Sequence, residues 1–123
     1  MHPTRVAALL LVTSTLAMGS GTGRSMPQEP VLWALTFTPG PGWDSTRPPN
    51  EQRYFREHSA NLQRLRRDSV IVAGGRFGRF GLMILRAPSE DAVRRAFAED
   101  STIVTQVFEI TVDRWYTIYR GNL

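Results

Sequence analysis

The chain has 123 residues, 41% apolar and 21% charged. That is one soluble globular domain's worth, and it excludes both a disordered chain and two full domains. It has no cysteine and two histidines, His2 and His58. Disulfides, a thiolate nucleophile and a multi-histidine metal site within one chain are therefore ruled out. All 15 basic residues are Arg. Without lysine, Schiff-base catalysis and a P-loop lysine are also excluded. The formal charge is +4, but the Arg residues are scattered. The pairs Arg66-Arg67 and Arg94-Arg95 fall on expected helix surfaces, and no basic stripe interleaves with aromatics. No nucleic-acid partner is expected.

The N-terminus carries a charge at Arg5 and an apolar stretch from Val6 to Ala17. Ala17 and Gly19 then offer small residues before Ser20. These are the three regions of a secretory signal peptide. The apolar stretch is well short of the roughly 20 residues that a membrane-spanning helix needs. Residues 1–25 read as a signal peptide and flexible lead-in, and residues 30–120 as the domain. The expected location is periplasmic or secreted, with no stable membrane anchor after cleavage.

Val31 to Thr38 is an apolar, β-branched and aromatic run that predicts a first strand with two apolar faces. Pro39 to Pro49 is a proline- and glycine-rich loop. Asn50 is a candidate cap for a helix over Glu51 to Arg67. In it Phe55, His58, Ser59, Leu62 and Leu65 share one face. Val70 to Gly75 and Phe80 to Ala87 predict two strands joined by a turn at Arg76 to Arg79. Ser89 caps a second helix that runs to about Asp100, with Val93, Ala96, Phe97 and Asp100 facing inward. Ile103 to Asp113 alternates as a last strand. Trp115 to Tyr119 extends that strand or forms a short fifth one.

The order β-α-β-β-α-β is the ferredoxin-like, split βαβ pattern. It predicts an α+β fold, with a four-stranded antiparallel sheet and two helices on one face. About 95 residues cannot cover the other, apolar face. A second copy supplies that cover in a homodimer of facing sheets.

His58 and Asp100 are the candidate catalytic pair. A lone histidine on an apolar stripe is by default a buried, hydrogen-bonded structural residue. A helix-end aspartate either binds backbone N–H groups of the next turn or serves chemistry. The two helices lie side by side, so both residues can meet. An aspartate beside a histidine fixes the ring tautomer and favours a general acid or base. Trp43, Gly75 and Arg76 are candidate substrate-pocket residues. Trp43 reads as a pocket lid or as a plug holding the loop. Arg76 and Arg79 read as anchors for an acid substrate or as solvated turn residues.

The chain resembles the YCII-related (YciI-like) family over about residues 31–115. The matching features are Pro39-Gly40-Pro41 followed by Trp43, His58 followed by Leu62 and Leu65, and Ala73-Gly74-Gly75. Ser89-Glu90-Asp91-Ala92 and Asp100, before a final strand ending at Trp115, complete the pattern. Asp68-Ser69 and Ser101 depart from it, where the family usually has Gly and Pro. The resemblance implies a ferredoxin-like fold paired into a dimeric α+β barrel. It also implies a His–Asp active-site pair at His58 and Asp100; no cofactor is expected. Relatives include enzymes that act on lactones with loss of chloride. Two functions stay open at this point: a small acid–base enzyme of lyase, isomerase or dehalogenase type, and a non-catalytic dimeric binder of an unknown small molecule.

Overall fold

The computed structural model describes residues 31–122. The expected signal peptide and lead-in, residues 1–25, lie outside the described residues. The elements are β1 (Leu32–Pro39), α1 (Phe55–Arg67), β2 (Ile71–Phe77), β3 (Phe80–Arg86), α2 (Glu90–Ala96), α3 (Ser101–Val104) and β4 (Phe108–Trp115). The four strands form one antiparallel sheet in the order β2-β3-β1-β4. This is an α+β arrangement compatible with a ferredoxin-like fold. Among the described residues, no helix is long and apolar enough to cross a membrane.

β1 is central and is paired along both edges. Leu35 lies opposite Met83 and Val112, and Phe37 lies opposite Gly81 and Ile110. Directly paired residues share a face, and this face carries the core. Leu35, Phe37, Leu85 and Val112 pack with Leu65 of α1, Val93 of α2 and Phe97. The helices thus cover the Leu35–Phe37 face. On the other face Ala34, Thr36, Phe80 and Leu82 are half-buried and Phe77 is exposed.

Local chemistry moved several expected boundaries. α1 starts at Phe55, not Glu51, and Asn50 does not cap it. Pro48 and Pro49 instead start a 3-10 turn over Pro49–Glu51, and Tyr54 then turns left-handed with φ 65° to launch the helix. Proline suits the start of such a turn, where its missing N–H is not needed. α2 ends at Ala96, short of Asp100. The chain breaks there because Phe97, fully buried, turns inward onto Phe37 with ring centroids 5.5 Å apart. Asp100 then caps a separate helix, α3, that the sequence pattern did not predict. As a result β4 begins at Phe108 instead of Ile103. It ends at Trp115, with no strand beyond it among the described residues. The expected four-residue turn shrinks to Gly78-Arg79, with Phe77 paired to Phe80. Gly78 has φ +56°, the left-handed backbone a two-residue hairpin asks of its first residue. Arg76 therefore belongs to β2, not to the turn.

The Pro39–Pro49 loop is fixed from two sides. Gly40 and Gly42 donate backbone N–H groups to the carbonyls of Val107 at 3.0 Å and Gln106 at 2.9 Å. A Cβ on either glycine would collide with the backbone carbonyls of Gln106 and Thr105, so this close approach requires glycine. On the other side Gln52, 4% exposed, serves as a bracket. Its Oε1 accepts from the Asp44 N–H at 2.9 Å. Its Nε2 donates to the carbonyls of Asp44 at 2.7 Å and Arg47 at 2.9 Å. Gln52→Leu keeps the volume and removes all three bonds. It is expected to cost about 1–3 kcal/mol in denaturant unfolding and to open residues 44–48 to limited proteolysis. Unchanged stability and cleavage would show that the loop is held elsewhere.

Candidate active site

α1 presents His58 inward, one turn after Tyr54, whose carbonyl accepts the His58 backbone N–H at 3.0 Å. The side chain is 7% exposed. Its ring lies among Phe37 and Phe108, each with centroids at 5.3 Å, and Phe55 at 6.2 Å. The His58 Nδ1 sits 2.8 Å from Asp100 Oδ2, so Nδ1–H donates to the carboxylate.

Asp100 is buried, with a side-chain exposure of 0%, yet every lone-pair direction is used. Oδ1 accepts from the Thr102 backbone N–H at 3.1 Å and the Thr102 hydroxyl at 2.6 Å. Oδ2 accepts from His58 and from Asn61 Nδ2 at 3.1 Å. A carboxylate offers about four such sites, and here all are filled by donors. Burial pushes the Asp100 carboxyl pKa up. The bonds from His58 and Thr102, the His58 charge and the Asn61 bond outweigh it and hold the pKa below its ordinary value of 3.8. Asp100 therefore stays ionised and acceptor-only, and this forces the proton of a neutral His58 onto Nδ1.

The other ring nitrogen, Nε2, has no hydrogen-bond partner among the described residues, and no fully buried side-chain nitrogen there lacks one. Nε2 thus keeps an opening. His58 lines a cavity of about 330 Å³, bounded by the Pro39–Pro49 loop, α1 and the β2–β3 hairpin. Phe37, Trp43, Phe55, Leu62, Met83 and Phe108 supply apolar walls. Gly81, opposite both Phe37 and Arg76 in the sheet, leaves the room that a side chain there would fill.

Trp43, Gly75 and Arg76 all line this cavity, as does Arg79. Trp43 also packs on Phe108, with ring centroids 5.6 Å apart. It is wall and loop anchor at once, so the lid and plug alternatives merge. Asp100 meets His58, as expected of the pair, and lies behind the ring on the helix side, outside the residues that line the cavity. The pattern reading missed Thr102 and Asn61, although both left signals. Asp100-Ser101-Thr102 has the spacing of a helix cap and its bonded N–H, and Asn61 lies three residues after His58, on the same helix side. Among the described residues, no three His, Asp or Glu side chains cluster in metal-binding geometry.

Comparison with family models, curated proteins and solved structures finds no match to this chain. The family resemblance accordingly rests on the residues quoted for it.

The site makes an acid-stability prediction. A carboxyl whose folded pKa is depressed contributes stability above its unfolded value, and that contribution is lost as pH falls through the folded value. Asp100→Asn removes this contribution and sets an amide N–H₂ against existing donors. At neutral pH it is expected to cost about 2 kcal/mol or more. The gap to the native chain should narrow as pH drops below about 4. A gap that stays constant down to pH 2, on the same order as at neutrality, would contradict an ionised Asp100.

Proposed function

We propose that this protein is an exported, cofactor-free proton-transfer enzyme of lyase, isomerase or dehalogenase type. His58 is its acid–base residue and Asp100 the residue that positions it. One observation carries this: an ionised, fully bonded carboxylate holds Nδ1–H, so the Nε2 lone pair is the free end of the ring and belongs to an apolar cavity. A proton from an acidic C–H or O–H of the substrate passes to Nε2, and the bonding electron pair stays on the substrate. The imidazolium so formed is opposed by the Asp100 charge. The proton then returns to a different substrate atom, or a leaving group departs with its electron pair and the imidazolium proton passes to solvent.

Membership of the YCII-related family is part of the proposal. It is supported by the order of the quoted motifs and by the meeting of His58 with Asp100. Pairing of two copies through the helix-free face is supported by the half-buried Phe80 and Leu82 and the exposed Phe77. The exposed Trp115, Tyr116, Ile118 and Tyr119 beyond it add apolar surface at the end of the chain. Surfaces of this kind are normally covered.

Deuterium uptake tests the chemistry without a known substrate. A panel of small lactones and carbon acids in D2O is incubated with the protein and followed by NMR. The native chain is expected to exchange at least one of them, and His58→Gln to slow that exchange by about 10²–10⁴-fold. His58→Ala, Asp100→Ala and the double variant should lose similar amounts, because each disables the same step. Exchange by none of the panel, or exchange that survives His58→Gln, overturns the reading in favour of a binding protein.

Export and pairing are checked together on the secreted form. Mass spectrometry should place its N-terminus between Gly19 and Met26, and light scattering at micromolar concentration should give twice the processed mass. A well-behaved monomer, or a form that retains Met1, contradicts that part of the proposal.

A further inference from the structure

The charged groups around the cavity are unevenly placed. His58 and Phe37, both buried, form its inner end. Arg76 and Arg79, both exposed, stand at its outer end. Among the described residues, no aspartate or glutamate lines it. Among the described residues, neither arginine forms an ion pair. Arg76 shares the helix-side face of the sheet with Gly81 and Phe37, so its side chain starts on the cavity side.

We infer that the cavity takes a small aromatic or planar unsaturated carboxylate. Its acid group is held by Arg76 and Arg79, its body lies between Trp43, Phe55 and Phe108, and its reacting carbon faces His58. This rests on the reading of His58 as the reacting base and adds the substrate class.

Three physical points agree. A guanidinium fork matches a carboxylate in geometry and charge, and two forks without acidic partners favour an anion. The strand order puts Arg76 two strand spacings from Phe37, about 10 Å between backbones. A one-ring acid held by a long arginine side chain bridges that span. Size fits as well: roughly 150 Å³ suffices for benzene in an apolar cavity, so about 330 Å³ holds one ring with an acid arm.

The test uses the secreted protein, with phenylacetate and its neutral isostere phenylacetamide as probes. Binding is followed by the His58 ring signals in NMR, assigned with His58→Gln. Phenylacetate is expected to shift the His58 signals and to bind about tenfold or more tighter than the amide. The Arg76→Gln, Arg79→Gln double variant should remove that preference, so that acid and amide bind equally. Gly81→Leu, which grows into the cavity from beside Phe37 and Arg76 (a Cβ there lies 3.4 Å from the Phe37 ring), should weaken both probes. Equal affinity for acid and amide, or an acid preference that survives the double variant, overturns the inference. So does binding of both probes that survives Gly81→Leu, or the absence of any His58 shift with phenylacetate. Its failure is separable from failure of the catalytic reading. Acid preference with no deuterium uptake leaves the carboxylate site and removes the enzyme. Uptake without acid preference does the reverse.

Discussion

The site depends on one buried carboxylate. Asp100 does three things with four hydrogen bonds: it starts α3, ties α3 to α1 through His58 and Asn61, and fixes the His58 tautomer. An unpaired carboxylate in that position would be costly. Four donors make it tolerable, and they also make it a poor proton acceptor. That second property matters for chemistry. A carboxylate with an open lone pair could draw the proton from Nδ1 or admit water behind the ring. With every lone pair occupied, the Nε2 end of His58 is the one free to exchange protons.

The cavity in front of His58 follows from small residues and from a loop that does not move freely. Gly81 omits a side chain where Phe37 and Arg76 would otherwise meet one, so an opening persists over the β2–β3 edge of the sheet. Gly40 and Gly42 fasten one end of the loop to the segment before β4, Gln52 fastens the other, and Trp43 rests on Phe108 between them. The cost is local strain at Tyr54 and Gln106, both left-handed, on the two segments that carry the anchors. Strain of about 1–3 kcal/mol per such residue is sustained where surrounding bonds over-determine the backbone. The Gln106 carbonyl, which accepts from Gly42, and the Gln52 amide supply those bonds.

What was legible in the sequence follows a physical division. Periodic apolar patterns located all four strands and the two main helices, because burial on one face dictates those periods. The inward position of His58 came from the same periodicity; Asp100 is inward as the cap of α3, not as a continuation of α2. Boundaries failed where a single residue's local hydrogen bonds overrode the pattern. Phe97 turned inward and ended one helix, the Asp100 side chain began another, and Pro48 and Pro49 diverted the start of α1 into a 3-10 turn. The boundary at Arg76 failed differently. Gly78 allows a two-residue turn, so two more residues entered the ladder and Arg76 moved from the turn into β2. Thr102 and Asn61 stayed hidden because their partner is three-dimensional: each bonds a carboxylate whose position depends on how α2 ends. The β2 irregularity between Ile71 and Ala73 was likewise invisible, since an extra residue at Val72 leaves no compositional mark.

The sheet separates two demands that compete in a domain this small. The Leu35–Phe37 face packs the helices and supports the cavity. The Ala34–Leu82 face carries half-buried apolar residues and no described helix. A partner on the second face would stiffen β1 and β3 from behind, and these strands place Phe37 and Gly81 in the cavity wall. Such a contact orders the cavity's floor without entering it. β2 is the thin point of the arrangement. It is an edge strand, mostly exposed, and Gly75 has no side chain to separate one face from the other. Cavity and proposed pairing surface therefore come closest at β2, beside Arg76. Coupling between assembly and ligand binding in this fold would pass through the sheet, by the floor strands β1 and β3 and most directly by β2, not through the His58–Asp100 cluster.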